Sequence, residues 1–86
     1  MPFYLYDPKP NVNQAYHVDS DKNEYFGEAP RGVATSESKW RIFKIEYATP
    51  GDQDSSWQIK YPNGSDMPEF EWDNVETFTY KLLAQR

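Results

Sequence analysis

The chain contains no cysteine, one histidine and only ten leucines, isoleucines and valines in 86 residues. Without cysteine there is no disulfide framework, thiolate metal site or thiol nucleophile. With His17 alone, neither a histidine-rich metal cluster nor a relay using a second histidine can be assembled. The apolar runs are a few residues long, well short of the ~18–20 that a membrane-spanning helix requires. Met1-Pro2-Phe3-Tyr4-Leu5 lacks a basic leader and is broken by Asp7 and two prolines, so no signal peptide is read there. A chain that starts at Met1 is taken as a complete gene product. Nine lysines and arginines against 14 aspartates and glutamates give a formal charge of −5. That balance argues against nucleic acid as the main partner, because a phosphate backbone calls for a basic face.

Aromatic residues fill the gap left by the aliphatics. Three tryptophans, seven tyrosines and five phenylalanines outnumber Leu, Ile and Val together, and each ring buries about 150–250 Å². One small domain with an aromatic core fits this composition. At this length only about 60–65% of the unfolded surface is buried, so a partner or an oligomer is expected to add stability.

Local pattern points to an all-β fold. Trp40 to Tyr47 is a run of β-formers with Trp40 and Ile42 on one side and Phe43, Ile45 and Tyr47 on the other. The phase change between Ile42 and Phe43 means either a β-bulge or a strand buried on both faces. Trp57, Ile59 and Tyr61 alternate with Gln58 and Lys60, a half-buried strand pattern. Pro62-Asn63-Gly64 follows, and Asn-Gly is the strongest type I′ hairpin signal. Further strands are expected at Phe70–Trp72 and over 76–82. Seven prolines and four glycines spread through the chain exclude long helices. The expected architecture is a small antiparallel β-barrel or sandwich with an extended N-terminal arm. Its core would hold Trp40, Ile42, Ile45, Trp57, Ile59, Trp72, Phe78 and Tyr80.

The first third is less regular. Asp7-Pro8-Lys9-Pro10-Asn11 is held extended by its prolines. Tyr16-His17-Val18 and Glu24-Tyr25-Phe26 flank a turn-like polar stretch, reading as a short hairpin or an ordered arm. Residues 1–30 are accordingly assigned as an N-terminal arm or edge region and 31–86 as the β domain. Phe3, Tyr4, Leu5, Tyr6, Tyr16 and Tyr25 are the candidate partner-binding residues, since an arm with few aliphatics gains burial against another chain.

No constellation for catalysis emerges, and the chain is expected to be non-enzymatic with no cofactor or metal. His17 in a short aromatic strand is a structural or surface residue, and no Gly-x-Ser-x-Gly elbow occurs. Asp19-x-Asp21-x-Asn23 opens with calcium-loop spacing, but Glu24 stands where a glycine and Pro30 where a glutamate would be needed. A solvated turn is the better reading. Glu69, Glu71 and Asp73 would line one face of a strand, an arrangement that guards an edge or offers a patch to a basic partner rather than flanking a cleft. Asn63-Gly64-Ser65 fits the glycosylation pattern but reads more simply as the hairpin turn.

The succession Gly32-x-Ala34-Thr35-Ser36, Trp40-Arg41-Ile42-x-Lys44-Ile45, Asn63-Gly64 and Trp72-Asp73-Asn74-x-x-Thr77-Phe78-Thr79-Tyr80 resembles a small module of tailed-bacteriophage genomes, found near virion genes. The resemblance runs from Arg31 to Tyr80. Two departures stand out: Val75 occupies the position where the module carries arginine, and Thr49–Ser56 looks like an inserted loop. The resemblance implies a virion protein assembled in the host bacterial cytoplasm, with other phage structural proteins or further copies of itself as partners. Neither nucleic acid nor membrane is expected as a partner. Two other functions compete with it. One is a carbohydrate-binding module on a phage fibre, using Tyr61 or Trp72 near Asp66. The other is a small acidic anti-host inhibitor.

Overall fold

A computed structural model describes residues 12–83. They form a five-stranded antiparallel sheet: β1 (Val12–Val18), β2 (Glu24–Pro30), β3 (Arg41–Tyr47), β4 (Trp57–Pro62) and β5 (Tyr80–Lys81), with neighbours in space following chain order. Among the described residues there is no α-helix; a single 3-10 turn spans Trp72–Asn74.

Turn chemistry sets the first hairpin. The Asp19 carboxylate accepts hydrogen bonds from the amides of Asp21 (2.9 Å) and Asn23 (3.0 Å), and Lys22 takes a left-handed φ of 69°. This Asp-led turn closes a ladder running without interruption from Val18↔Glu24 to Val12↔Pro30. The β2–β3 and β3–β4 registers are also continuous, so β3 carries no bulge. Its two apolar phases are two buried faces: Ile42 is fully enclosed on one and Phe43 half-buried on the other.

The face bearing Ile42, here the inner face, is covered by the chain that links β4 to β5. Asn63 (φ 52°) and Gly64 (φ 74°) adopt the left-handed pair that a type I′ turn requires, and the Ser65 amide donates to the Pro62 carbonyl at 2.9 Å. The expected turn is present, but no hairpin strand follows it directly. Residues 65–79 pass over the inner face instead, and Phe70 and Val75 join Tyr25, Ala29, Trp40 and Ile42 in the buried cluster, with Trp72, Phe78 and Tyr80 packed against it. Gly27 makes room for this layer. A Cβ there would stand 2.6 Å and 2.7 Å from ring atoms of Trp72 and 3.2 Å from Trp40.

Several expectations are corrected. The fold is all-β, but the sheet is not closed into a barrel, and its covering layer among the described residues is irregular chain rather than a second sheet. Phe70 forms only an isolated bridge with Trp40, Trp72 lies in the 3-10 turn, and the last strand is two residues long. That turn also removes the single strand face on which Glu69, Glu71 and Asp73 were expected to align. Trp40 and Ile42 are buried as expected, whereas Trp57 is 56% and Ile59 40% exposed. Both point to the opposite side of the sheet from the covering segment. Ile45, Trp72, Phe78 and Tyr80 are half-buried. The boundary at residue 30 does not separate an arm from a domain, because β2 lies between β1 and β3 and buries Tyr25, Phe26 and Ala29. Phe3, Tyr4, Leu5 and Tyr6 lie outside the described residues.

Trp40→Ala is expected to cost about 3–5 kcal/mol and Trp57→Ala less than about 1 kcal/mol, checked by denaturant titration. Equal losses for the two would show that the sheet buries the wrong face. Deleting residues 1–26 removes β1 and half of β2, and the remaining chain is expected to show no cooperative thermal transition. A sharp melt of that fragment would restore the arm-and-domain division.

Candidate functional site

Alternation along the strands sends a second set of side chains to the outer face. One ring from each of four strands forms a ladder across it. Tyr16 and Phe26 centroids are 5.2 Å apart, Phe26 and Phe43 5.0 Å apart and nearly parallel at 18°, and Phe43 and Tyr61 6.4 Å apart. Cross-strand aromatic pairs of this kind each add ~0.2–1 kcal/mol to a sheet. Phe26 is 1% exposed, and exposure increases toward β4, where Ile59 and Trp57 stand open. Beside Trp57 an open depression of about 260 Å³ is lined by Glu46, Tyr47, Ala48, Ser56 and Gln58. It sits at the base of the 48–56 loop, which is tied to the first turn by the Gly51 amide donating to the Asp21 carbonyl at 2.8 Å.

A buried carboxylate organises the same end of this face, next to the Tyr47 that lines the depression. Glu24 is 8% exposed and accepts a hydrogen bond from the Tyr47 hydroxyl at 2.7 Å. Burial, then the Glu24 carboxylate, push the Tyr47 phenol up to about 12. The Tyr16 phenol is raised by burial and by Glu24 as well. These two tyrosines are fixed by a buried acceptor, which narrows their rotamer freedom.

Of the expected partner-binding residues, Tyr16 lies on the outer face and is 38% exposed. Tyr25 does not: it is 4% exposed on the inner face, its hydroxyl donates to Asp19 at 2.7 Å, and the Lys44 ammonium sits 5.5 Å from its ring centroid. Its phenol is raised far above the ordinary value by burial first and Asp19 second. A tyrosine so enclosed is a core residue and cannot anchor another chain.

The acidic residues are engaged locally. Burial alone would raise Asp19, but hydrogen bonds from the Tyr25 hydroxyl and the Asn23 and Asp21 amides outweigh it and hold the carboxyl below its usual range. Its calcium-like spacing is therefore used to cap a turn. Glu46 is held low by Lys60 at 2.7 Å against a smaller burial effect, with Lys44 at 3.0 Å adding to it. Glu71 accepts from the Ser38 hydroxyl and from Asn74 at 3.1 Å. His17 meets Glu76, joining β1 to the covering segment. Among the described residues no group of three His, Asp or Glu side chains converges on a metal-sized site. Trp72 lies over Gly27 and Tyr61 beside Phe43, both half-buried.

Three segments distant in sequence, at Ala34–Thr35, at Trp40 and at Trp72–Asp73, meet on the inner face. The Trp40 indole N–H donates to the Ala34 carbonyl at 3.0 Å, and the Asp73 amide to the Thr35 carbonyl at 3.1 Å. Trp40 and Trp72 rings lie 6.0 Å apart. Val75 is 8% exposed and packs into the cluster. Sequence reading missed Glu24 as the tyrosine acceptor and Gly27 as the seat of Trp72. The signal for Gly27 was a lone glycine inside a strand pattern, which marks a close approach. Nothing local marked Glu24, whose role depends on strand register. The chain matches no protein-family model, no curated protein and no solved structure.

The alkaline limb of stability carries a sign. Tyr47 has a folded-state value of about 12 against an ordinary value of 10.0, so its contribution is complete below pH ~10 and is lost as pH rises through ~12. Ultraviolet titration of the tyrosinates should show this group ionising late. Glu24→Gln removes the negative charge and should bring Tyr47 down toward its ordinary value; an unchanged titration would exclude Glu24 as a cause.

Proposed function

We propose that the chain is a non-enzymatic structural or accessory protein of a tailed-phage particle, acting through protein–protein contacts as a capsid decoration or a neck, tail or fibre component. The observation that carries the contact role is the open β4 margin of the outer face, where Trp57 and Ile59 present a large apolar area to solvent. Exposed aromatics beside a rigid sheet are the side chains that most often anchor an interface. Tyr16, on the far strand of the same face, extends the surface, and Phe3, Tyr4, Leu5 and Tyr6 are proposed as further contact residues.

The particle setting rests on the phage-like residue pattern. Its support is that Ala34, Thr35, Trp40, Trp72 and Asp73, separated in sequence, are joined by hydrogen bonds and a tilted ring contact and so work as one unit. A pattern that holds a fold together is expected to persist as a unit while exposed positions such as Trp57 adapt to a neighbour. Assembly in the bacterial cytoplasm and location in the virion follow from this setting.

Mass spectrometry of purified virions, and of separated heads and tails, is expected to find the protein in one of those fractions at fixed stoichiometry. Absence from all of them overturns the particle assignment.

A further inference from the structure

β4 carries a short stretch of open sheet edge. The Ala48 amide donates to the Ser56 carbonyl at 2.7 Å, which fixes the phase of the β3–β4 ladder. Hydrogen-bonded pairs alternate in an antiparallel ladder, so Gln58 and Lys60 turn their backbone groups toward Glu46 and Lys44 of β3. Trp57, Ile59 and Tyr61 turn theirs the other way. The Asn63 amide, donating to the Thr79 carbonyl at 2.7 Å, gives the same phase from the β5 side, where Lys81 meets Tyr61. β5 ends there. Trp57 and Ile59 are left with two N–H donors and two C=O acceptors facing outward, beside side chains 56% and 40% exposed. No described residue pairs with them.

We propose that this edge docks a second copy of the same chain, the two β4 strands pairing antiparallel about a two-fold axis through Gln58. In that register Trp57 lies opposite Ile59 of the second copy, and Ile59 opposite its Trp57. Both are hydrogen-bonded pairs, so the free donors and acceptors satisfy one another, as an isologous contact requires. On the outer face each pair is apolar against apolar, covering the two exposed apolar side chains of β4. On the inner face the axis passes between neutral glutamines. Lys60 is already paired with Glu46 at 2.7 Å and would lie opposite Ser56, so doubling the strand sets no unpaired like charges against each other. The edge is thus self-complementary in hydrogen bonding, apolar surface and charge. The product is one sheet in which β1–β4 of each copy, eight strands, run on across the β4–β4 seam, with the short β5 strands flanking it. This proposal stands on the sheet geometry and does not depend on the particle setting.

The test is sedimentation equilibrium of the full chain up to about 1 mM, with amide exchange read at Trp57 and Ile59. The mass is expected to rise from 10.2 kDa toward twice that value, and the two amides to gain protection as concentration rises. Ile59→Pro removes an outward N–H while leaving the β3–β4 ladder its donors, so it should keep the native circular dichroism and lose the dimer. If that variant fails to fold, Trp57→Lys, at an exposed side chain, should weaken dimerisation at least tenfold with an unchanged melt. A chain that stays monomeric throughout overturns the proposal. So does concentration-independent protection of the two amides, which would mean that the edge is already covered within a single chain. A folded Ile59→Pro variant that still dimerises overturns it too. A monomer found in particles removes the edge pairing alone, and a dimer absent from particles removes the particle setting alone.

Discussion

An indole lying on a glycine is the contact around which the inner layer is built. With no side chain at position 27, Trp72 settles against the backbone of β2 and reaches Trp40, which is hydrogen-bonded in turn to the 32–36 loop. Almost any other residue there would drive a carbon to within 3 Å of the ring. The covering segment has little regular hydrogen bonding of its own, so it is held by what it touches: the Trp40–Phe70 bridge, the Tyr80 hydroxyl donating to the Val75 carbonyl at 2.6 Å, and the His17–Glu76 pair. A domain of this size has few aliphatic residues to spend. It closes one side of its sheet with rings stacked over a gap in the sheet's own surface.

The two faces solve the same shortage differently. The inner face mixes rings with the Lys44–Glu46–Lys60 group, whose ammonium lies near the rings of Tyr25 and Tyr80. The outer face is a ladder of rings ending at an open margin. Buried side-chain polar atoms are satisfied throughout the described residues, and the hydroxyls of Tyr25, Tyr47 and Tyr80 each find a carboxylate or carbonyl at the rim.

Strand existence was legible because alternation and β-branched or aromatic composition mark a strand wherever one side is buried. Four of the strands fall where the pattern placed apolar runs, and the Asn63–Gly64 turn has the backbone its residues demand. Which side is buried was not legible. Trp57-x-Ile59-x-Tyr61 looks like a core stripe because alternation reports a difference between faces, and both faces of this sheet are aromatic. The covering segment was misread for a related reason. Phe70, Trp72, Phe78 and Tyr80 alternate like strand residues, yet they are spaced to drop side chains into a surface beneath them. Tyr25 reads as an interface residue because its neighbours look irregular in sequence. Its enclosure comes from β2 lying between two strands, a fact of pairing that no local window contains. The exposed part of the candidate site is thus visible mainly by elimination, once the inner face is known.

Because neighbours in the sheet are also neighbours in the chain, folding can proceed in a set order. The β1–β2, β2–β3 and β3–β4 ladders each close short loops, so they incur little entropy before their contacts repay it. The segment between Asn63 and Thr79 has no surface to settle on until β2 and β3 lie side by side, since Gly27 and Ile42 together make its floor. The sheet is thus the floor on which the covering segment depends. Without that segment Trp40 and Ile42 would stand open, and a sheet in that state is the form of the chain most prone to wrong association.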